Sequence, residues 1–199
     1  MAQVVTLHQL EQWRGELEGV SSEGILDWAG AHFGGRIALA SSMGLEDQVI
    51  TDMIARRGLP ISIFTLDTGR LFPETYTLLQ RTTDHYGLPI RVYFPETAAV
   101  EQMVAEEGID LFRRSVELRR RCCHVRKVEP LGRALKDLGG WVCGLRRGQA
   151  RTRADLHTVE WDEGHGLLKL NPLAGWSEDE VWAYINKHNV PFNPLHKEG

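Results

Sequence analysis

The sequence predicts an α/β domain, a mostly parallel sheet flanked by helices. Three observations carry this. Short apolar runs at 37–40 (IALA), 61–66 (ISIFTL) and 90–94 (IRVYF) read as strands, and each is followed by a stretch with helical spacing. Brief turns separate them, so strand and helix alternate as in parallel βαβ units. The strand runs are continuously apolar, as expected when helices cover both faces of the sheet. Sheets of this kind bind ligands in the loops at their strands' carboxyl ends.

Residues 1–33 are expected to be helical and to pack on a single domain spanning 34–199. Leu7, Leu10, Trp13 and Leu17 recur at helical spacing, as do Ile25, Trp28 and Ala29, with Ser21 or Ser22 as the cap of the second helix. After the first strand, 45–58 reads as a helix closed by Gly58. After the second, 73–87 reads as a helix with Pro73 in its first turn. A helix over 97–108 follows the third strand. Residues 123–140 also look helical, although Pro130 should kink that helix or start a new one. WVCGL (141–145) is expected as a strand, and 156–161 and 167–170 as strands pairing across DEGHG. Ser177 and Glu180 form a capping box for a helix over 177–188.

A chain of 199 residues, 42% apolar, suits one globular core. No apolar run reaches the length of a membrane span, and the first twenty residues lack the pattern of a signal peptide. Three cysteines are too few for a disulfide framework, so a reducing, cytoplasmic setting is expected. The charge is unevenly placed. Segments 113–127 and 146–153 hold eleven Arg and Lys residues against one acid, Glu117, in a chain of net charge −4. Two such runs point to a focused anion site, the plainer reading being two solvated faces.

Four segments carry candidate chemistry. SSMGLED (41–47) puts Ser41, Ser42 and Gly44 between a strand and a helix N-terminus, where amides and hydroxyls favour an oxyanion. An ordinary capped turn is the competing reading, and there is no P-loop lysine. LDTGRLFPET (66–75) emerges on the same sheet edge. There Asp67, Thr68 and Gly69 shape a turn and Arg70 is placed to reach an anion. In RCCHVRKVEPL (121–131), adjacent Cys122 and Cys123 suit thiolates serving metal better than a strained vicinal disulfide, with Arg121, Arg126 and Lys127 lowering their pKa. Two small buried cysteines remain the alternative there, and Cys143 reads as an inert core thiol. GLRRGQARTR (144–153) is an arginine-dense loop suited to phosphate or sulfate. Nucleic acid ranks low, because the loop lacks interleaved aromatics and the chain is acidic overall.

In this order, the four segments resemble the phosphoadenylylsulfate/adenylylsulfate reductase family, whose fold is similar to that of the adenine-nucleotide α-hydrolases. SSMGLED resembles the family's modified pyrophosphate loop, LDTGRLFPET its LDTGRL motif and GLRRGQARTR its arginine loop. CCHVRKVEPL resembles the CC-x-x-RK-x-x-PL motif of the branch acting on adenylyl sulfate (APS), and KLNPLAGWSEDEVWAYINKHNVPFNPLHKEG resembles the segment before the family's final motifs. The resemblance implies that Ser41, Ser42, Gly44, Glu46, Leu66, Asp67, Thr68, Gly69, Arg70, Lys127, Arg146 and Arg147 bind APS. It implies that Cys122 and Cys123 are two of four ligands to a [4Fe-4S] cluster. It further implies thioredoxin-dependent reduction of APS to sulfite and AMP through an S-sulfocysteine, with thioredoxin or a similar thiol donor as partner. A homo-oligomer is left open. In the family, a CxxC and an ECGLH-like tail with the nucleophilic cysteine follow the PLHxxG segment. Both fall beyond Gly199, so this chain as given is expected to bind substrate without a complete cluster and without turnover. Two alternatives stay open: an ATP-pyrophosphatase-type nucleotidyltransferase, and a non-catalytic adenine-nucleotide-binding module.

Overall fold

The computed structural model describes residues 6–197, apart from the side chain of Thr152. Residues 1–5 of the expected N-terminal helix lie outside these. The six strands are β1 (Ile37–Ser41), β2 (Ser62–Leu66), β3 (Ile90–Tyr93), β4 (Gly140–Val142), β5 (Val159–Asp162) and β6 (Leu167–Leu170). They form one sheet in the order β3-β2-β1-β4-β6-β5, parallel except for β5, which pairs antiparallel with β6 at one edge. The chain leaves β1 for β2 on one side and later returns with β4 on the other. The strand order therefore reverses between β1 and β4, the place where open α/β sheets form a crevice at their carboxyl edge.

Among the described residues, eight α-helices flank the sheet: α1 (Leu7–Glu16), α2 (Ser22–Phe33), α3 (Leu45–Arg57), α4 (Pro73–Tyr86), α5 (Thr97–Glu107), α6 (Val116–Cys123), α7 (Glu129–Leu135) and α8 (Glu178–His188). Side chains alternate along β1 as the strand period requires. Ile37 and Leu39 face a core with Leu26 of α2, Ile50 of α3 and Val181 of α8, whereas Ala38 faces Ala134 and Leu135 of α7. A third, smaller cluster joins Met103 of α5, Leu111 and Cys122 of α6. No helix among the described residues is long and apolar enough to cross a membrane.

Local chemistry explains the boundaries. Ser21 caps α2 by accepting from the Gly24 amide, while Ser22 is buried and donates to the Pro172 carbonyl. Gly34, Gly58 and Gly87 end α2, α3 and α4 in the left-handed conformation that glycine adopts without strain. Ser177 and Glu180 close the expected capping box on α8. One buried carboxylate ties three helices: Asp52 of α3 accepts from Tyr86 of α4, Tyr184 of α8 and Arg56.

Several expectations need correction. Leu7 is 82% exposed because it sits in the first turn of α1, ahead of the buried Leu10, Trp13 and Leu17. The helix expected over 123–140 is three pieces: the end of α6, a π-helical turn His124–Val128, and α7. In the π turn the Glu129 amide bonds back five residues to the His124 carbonyl, directly before Pro130, which has no amide to give. α7 stops at Leu135, and Asp137 follows with φ of 68°. Residues 156–158 precede β5 rather than belonging to it, and β4 ends at Val142, so Gly144 and Leu145 are loop.

Candidate functional site

The loop after β1 is shaped around its own polar groups. Met43, buried, takes φ of 64°, rare for a side chain of its size. Its amide donates to Ser41 Oγ at 3.1 Å. Asp47, in the first turn of α3, folds back on the loop: the Ser42 amide and hydroxyl both donate to its Oδ2 at 2.6 Å. Gly44 precedes α3 and carries no side chain to obstruct the amides behind it. Burial pushes the Asp47 carboxyl above the ordinary aspartate range. The donors from Ser42 and the Gly144 amide oppose this rise, and the neighbouring Glu46 charge adds to it.

The loop after β4 lies against this first loop. Gly144 passes so close to α3 that an added Cβ would overlap Asp47 Oδ1 and stand 3.0 Å from both Asp47 N and Glu46 Cβ. Only glycine lets the two backbones approach this far. Two residues later, Arg146 Nε meets Glu46 Oε1 at 2.7 Å, with the side chains 7% and 13% exposed. Its neighbour Arg147 turns the other way, its amide on the Ala174 carbonyl and its Nε on the Leu156 carbonyl. Thus the first and fourth sequence segments are clasped together where the strand order reverses.

The second and third segments form another pair. Asp67 accepts from the Gly69 amide at 2.7 Å and from Tyr76 Oη at 3.0 Å, which fixes the turn, and Gly69 has φ of 70°. Thr68 Oγ1 accepts from the Arg70 amide, and the Thr68 carbonyl accepts from Arg126 Nη1 at 2.6 Å. Leu66 is half-buried at the end of β2. Arg126 is buried, and its Nε has no hydrogen-bond partner among the described residues. A buried guanidinium with one idle donor is a costly arrangement unless something polar completes it.

Other expected site residues have partners or exposures of their own. Arg70, expected to reach an anion, is bonded to the Ile109 carbonyl and Asp110 and lies 4.7 Å over the Phe112 ring. In the run 113–127, Arg121 pairs with Glu106 and Arg114 with Glu107 of α5, so part of it is a neutralised outer face rather than an anion site. Lys127 is exposed. Cys123 is exposed, whereas Cys122 packs with Met103 and Leu111. Cys143 is buried, and burial pushes its thiol far up, as an inert core cysteine requires.

Whether these cysteines fit a four-iron cluster follows from the donor set. Such a cluster takes four protein ligands. The chain has three cysteines, of which Cys143 sits in the core beside β4 and Cys122 in an apolar cluster. No group of three or more His, Cys, Asp or Glu side chains is placed to hold a metal ion among the described residues. Cys122 and Cys123 therefore make at most half of a site. Sequence reading missed Asp47 and left Arg126 as a mere neighbour of the thiols. Asp47 could have been found as a carboxylate one turn into a helix behind two serines.

The family described as Phosphoadenosine phosphosulfate reductase domain matches residues 36–199. Adenosine 5'-phosphosulfate reductase of Burkholderia cepacia is 51% identical over 164 residues, 82% of this chain and 66% of that protein. The Allochromatium vinosum protein of the same name is 53% identical over 163 residues, 82% of this chain and 64% of that protein. The chain thus spans just under two thirds of the length of both relatives. The crystal structure of phosphoadenylyl-sulfate (PAPS) reductase from Candida auris, in a phosphate complex, superposes with a TM-score of 0.86 at 29% identity. The match covers 100% of this chain and 95% of that one.

Proposed function

Because the chain belongs to the phosphoadenosine phosphosulfate reductase domain family, we propose that it is the substrate-binding part of an APS reductase of sulfate assimilation. The substrate is the one for which its Burkholderia cepacia and Allochromatium vinosum relatives are named. The observation that carries the reading is the clasp of the β1 and β4 loops, Gly144 on Asp47 and Arg146 on Glu46, at the reversal of strand order. A nucleotide seated there meets the amides and hydroxyls of Ser41, Ser42 and Gly44 on one side, and the turn Leu66–Arg70 on the other. Arg146 and Arg147 belong to the loop that neutralises the phosphosulfate, and Lys127 supplies a charge facing solvent beside the thiol pair. For Arg70 and Arg147 to touch the anion, their present carbonyl and carboxylate partners must be exchanged for it.

In the whole enzyme, a cysteine thiolate attacks the sulfur of APS. The bond from sulfur to the phosphate oxygen breaks, AMP leaves with the electron pair, and an S-sulfocysteine remains. A thiolate of thioredoxin then attacks the cysteine sulfur, releasing sulfite and leaving a mixed disulfide for its second thiol to resolve. Following the family resemblance, we assign the attacking thiol to an ECGLH-type tail and not to Cys143, which is buried and protonated. Within this chain the positive groups stabilise charge building on the leaving phosphate, and losing one such contact costs about 3–4 kcal/mol of barrier. Cys122 and Cys123 would contribute two ligands to an iron–sulfur cluster, and no step of the reaction is assigned to it.

Calorimetry with APS, AMP and ATP tests the reading. The expected result is binding of APS and AMP without magnesium, and sulfite release by the whole enzyme with reduced thioredoxin. ATP hydrolysis requiring magnesium would favour an ATP-pyrophosphatase-type enzyme instead. AMP binding with no sulfite release from the whole enzyme would favour a non-catalytic module.

A further inference from the structure

The amino edge of the sheet, opposite the clasped loops, carries a hollow of about 530 Å³ where β1, β4 and β6 begin. Its size falls within the range of small-molecule sites, roughly 300–1,000 Å³. Trp13, Phe33 and Trp161 supply ring walls, and Leu135, Leu167 and Leu168 an apolar floor. Phe33 is held in place by glycine: a Cβ on Gly139 or Gly140 would come within 2.8 Å of its ring. His32 is also set, stacked on Trp28 at 4.5 Å between ring centres and edge-on to Trp13 at 5.2 Å. The rim is cationic. Arg36 and Lys136 line it, and neither is tied to a carboxylate among the described residues, whereas His165 is already paired with Asp162. Asp137 is the one carboxylate of the lining, on a left-handed turn (φ 68°) that a non-glycine residue rarely adopts.

We propose that this hollow is a second binding site, for a small planar aromatic anion. The ring would lie between Trp13, Phe33 and Trp161, and its anionic group would meet Arg36 and Lys136. Aromatic walls alone would select any flat apolar molecule, and surface cations alone any anion. Their union in one hollow asks for both features in one ligand. The site is distinct from the nucleotide crevice, because the two lie at opposite ends of the same strands.

Three probes separate the requirements: naphthalene-2-sulfonate (ring and charge), 2-naphthol (ring alone) and methanesulfonate (charge alone). Each is titrated calorimetrically into the 199-residue chain, with and without saturating AMP. Naphthalene-2-sulfonate should bind with a submillimolar Kd that AMP leaves unchanged, and the other two should bind far more weakly. The double variant R36Q/K136Q, altered at two exposed positions, should weaken it roughly tenfold while AMP affinity and the thermal midpoint stay as they were. The proposal is overturned by any of four results. These are no saturable binding, displacement by AMP, a double variant within twofold of the parent, or 2-naphthol binding as tightly as the sulfonate.

Discussion

Replacing Gly144 by alanine tests the closest backbone approach at the candidate site. The new methyl group would overlap Asp47 Oδ1 and stand 3.0 Å from Asp47 N and Glu46 Cβ. Two of these neighbours are backbone or fixed to it, so the β4 loop and the start of α3 must separate. Overpacking of this kind costs about 1–3 kcal/mol. The Gly144 amide also faces the Asp47 carboxylate, and weakening a hydrogen bond to a charged group costs about 1.5–3 kcal/mol more if it is lost outright. A net loss of about 3 kcal/mol is expected, which for a chain of this size lowers Tm by roughly 6–12 °C. AMP affinity should fall with it, since the clasp positions both loops. Gly148→Ala is the control: its nearest neighbour would be Arg146 Nη1 at 3.8 Å, so its cost should stay within about 0.5 kcal/mol. Thermal unfolding followed by circular dichroism, with AMP calorimetry on the same samples, reads both effects. If G144A melts within a degree or two of G148A, the close approach is not what holds the loops together.

Three further outcomes follow from the same geometry. Arg146→Ala should cost about 3–5 kcal/mol in urea unfolding, because it strands the largely buried Glu46 carboxylate next to Asp47; the double variant R146A/E46A should cost less than the sum of the two single replacements, and additive losses would contradict the pairing. The folded pKa of Asp47 lies above its unfolded value, so its contribution to stability is complete at low pH and is lost as pH rises through the folded value. The Tm of the parent minus that of Asp47→Asn should therefore fall as pH rises through and above the ordinary aspartate range, and a rise would reverse the assignment. In the cluster-free chain, a thiol reagent should modify Cys123 quickly and leave Cys122 and Cys143 until unfolding; peptide mapping that finds Cys122 equally labelled would contradict its place beside Met103 and Leu111.

The regular part of this fold was legible in the sequence because period and punctuation agreed there. β1, β2 and β3 are short apolar runs, and α3, α4 and α8 carry a terminal glycine, a leading proline or a capping box at the right offsets. The stretch 108–140 was opaque for a physical reason. Its charge density hid α6, whose apolar face rests on the small cluster of Met103 and Leu111 and not on the main core. Nothing in composition announces a π turn. At the site, residue types were readable but pairings were not. Arg70 and Arg146 look alike in sequence, yet one lies over Phe112 beside Asp110 and the other is buried on Glu46. That difference depends on segments about forty and one hundred positions away, which local pattern cannot encode.

The π turn at His124–Val128 has a geometric corollary for the thiol pair. Each residue of an α-helix advances the rotation by about 100°, so a widened turn sets the phase of α6 relative to α7. With α7 anchored under the sheet by Ala134 and Leu135, removing one residue from the widened turn would swing the whole of α6 by about that angle. Cys122 would leave its apolar berth for the exposed position that Cys123 now holds, and Arg121 would be turned toward Met103 and Leu111 in its place. The direction in which the two sulfurs face is thus governed by one surplus residue in the helix that follows them.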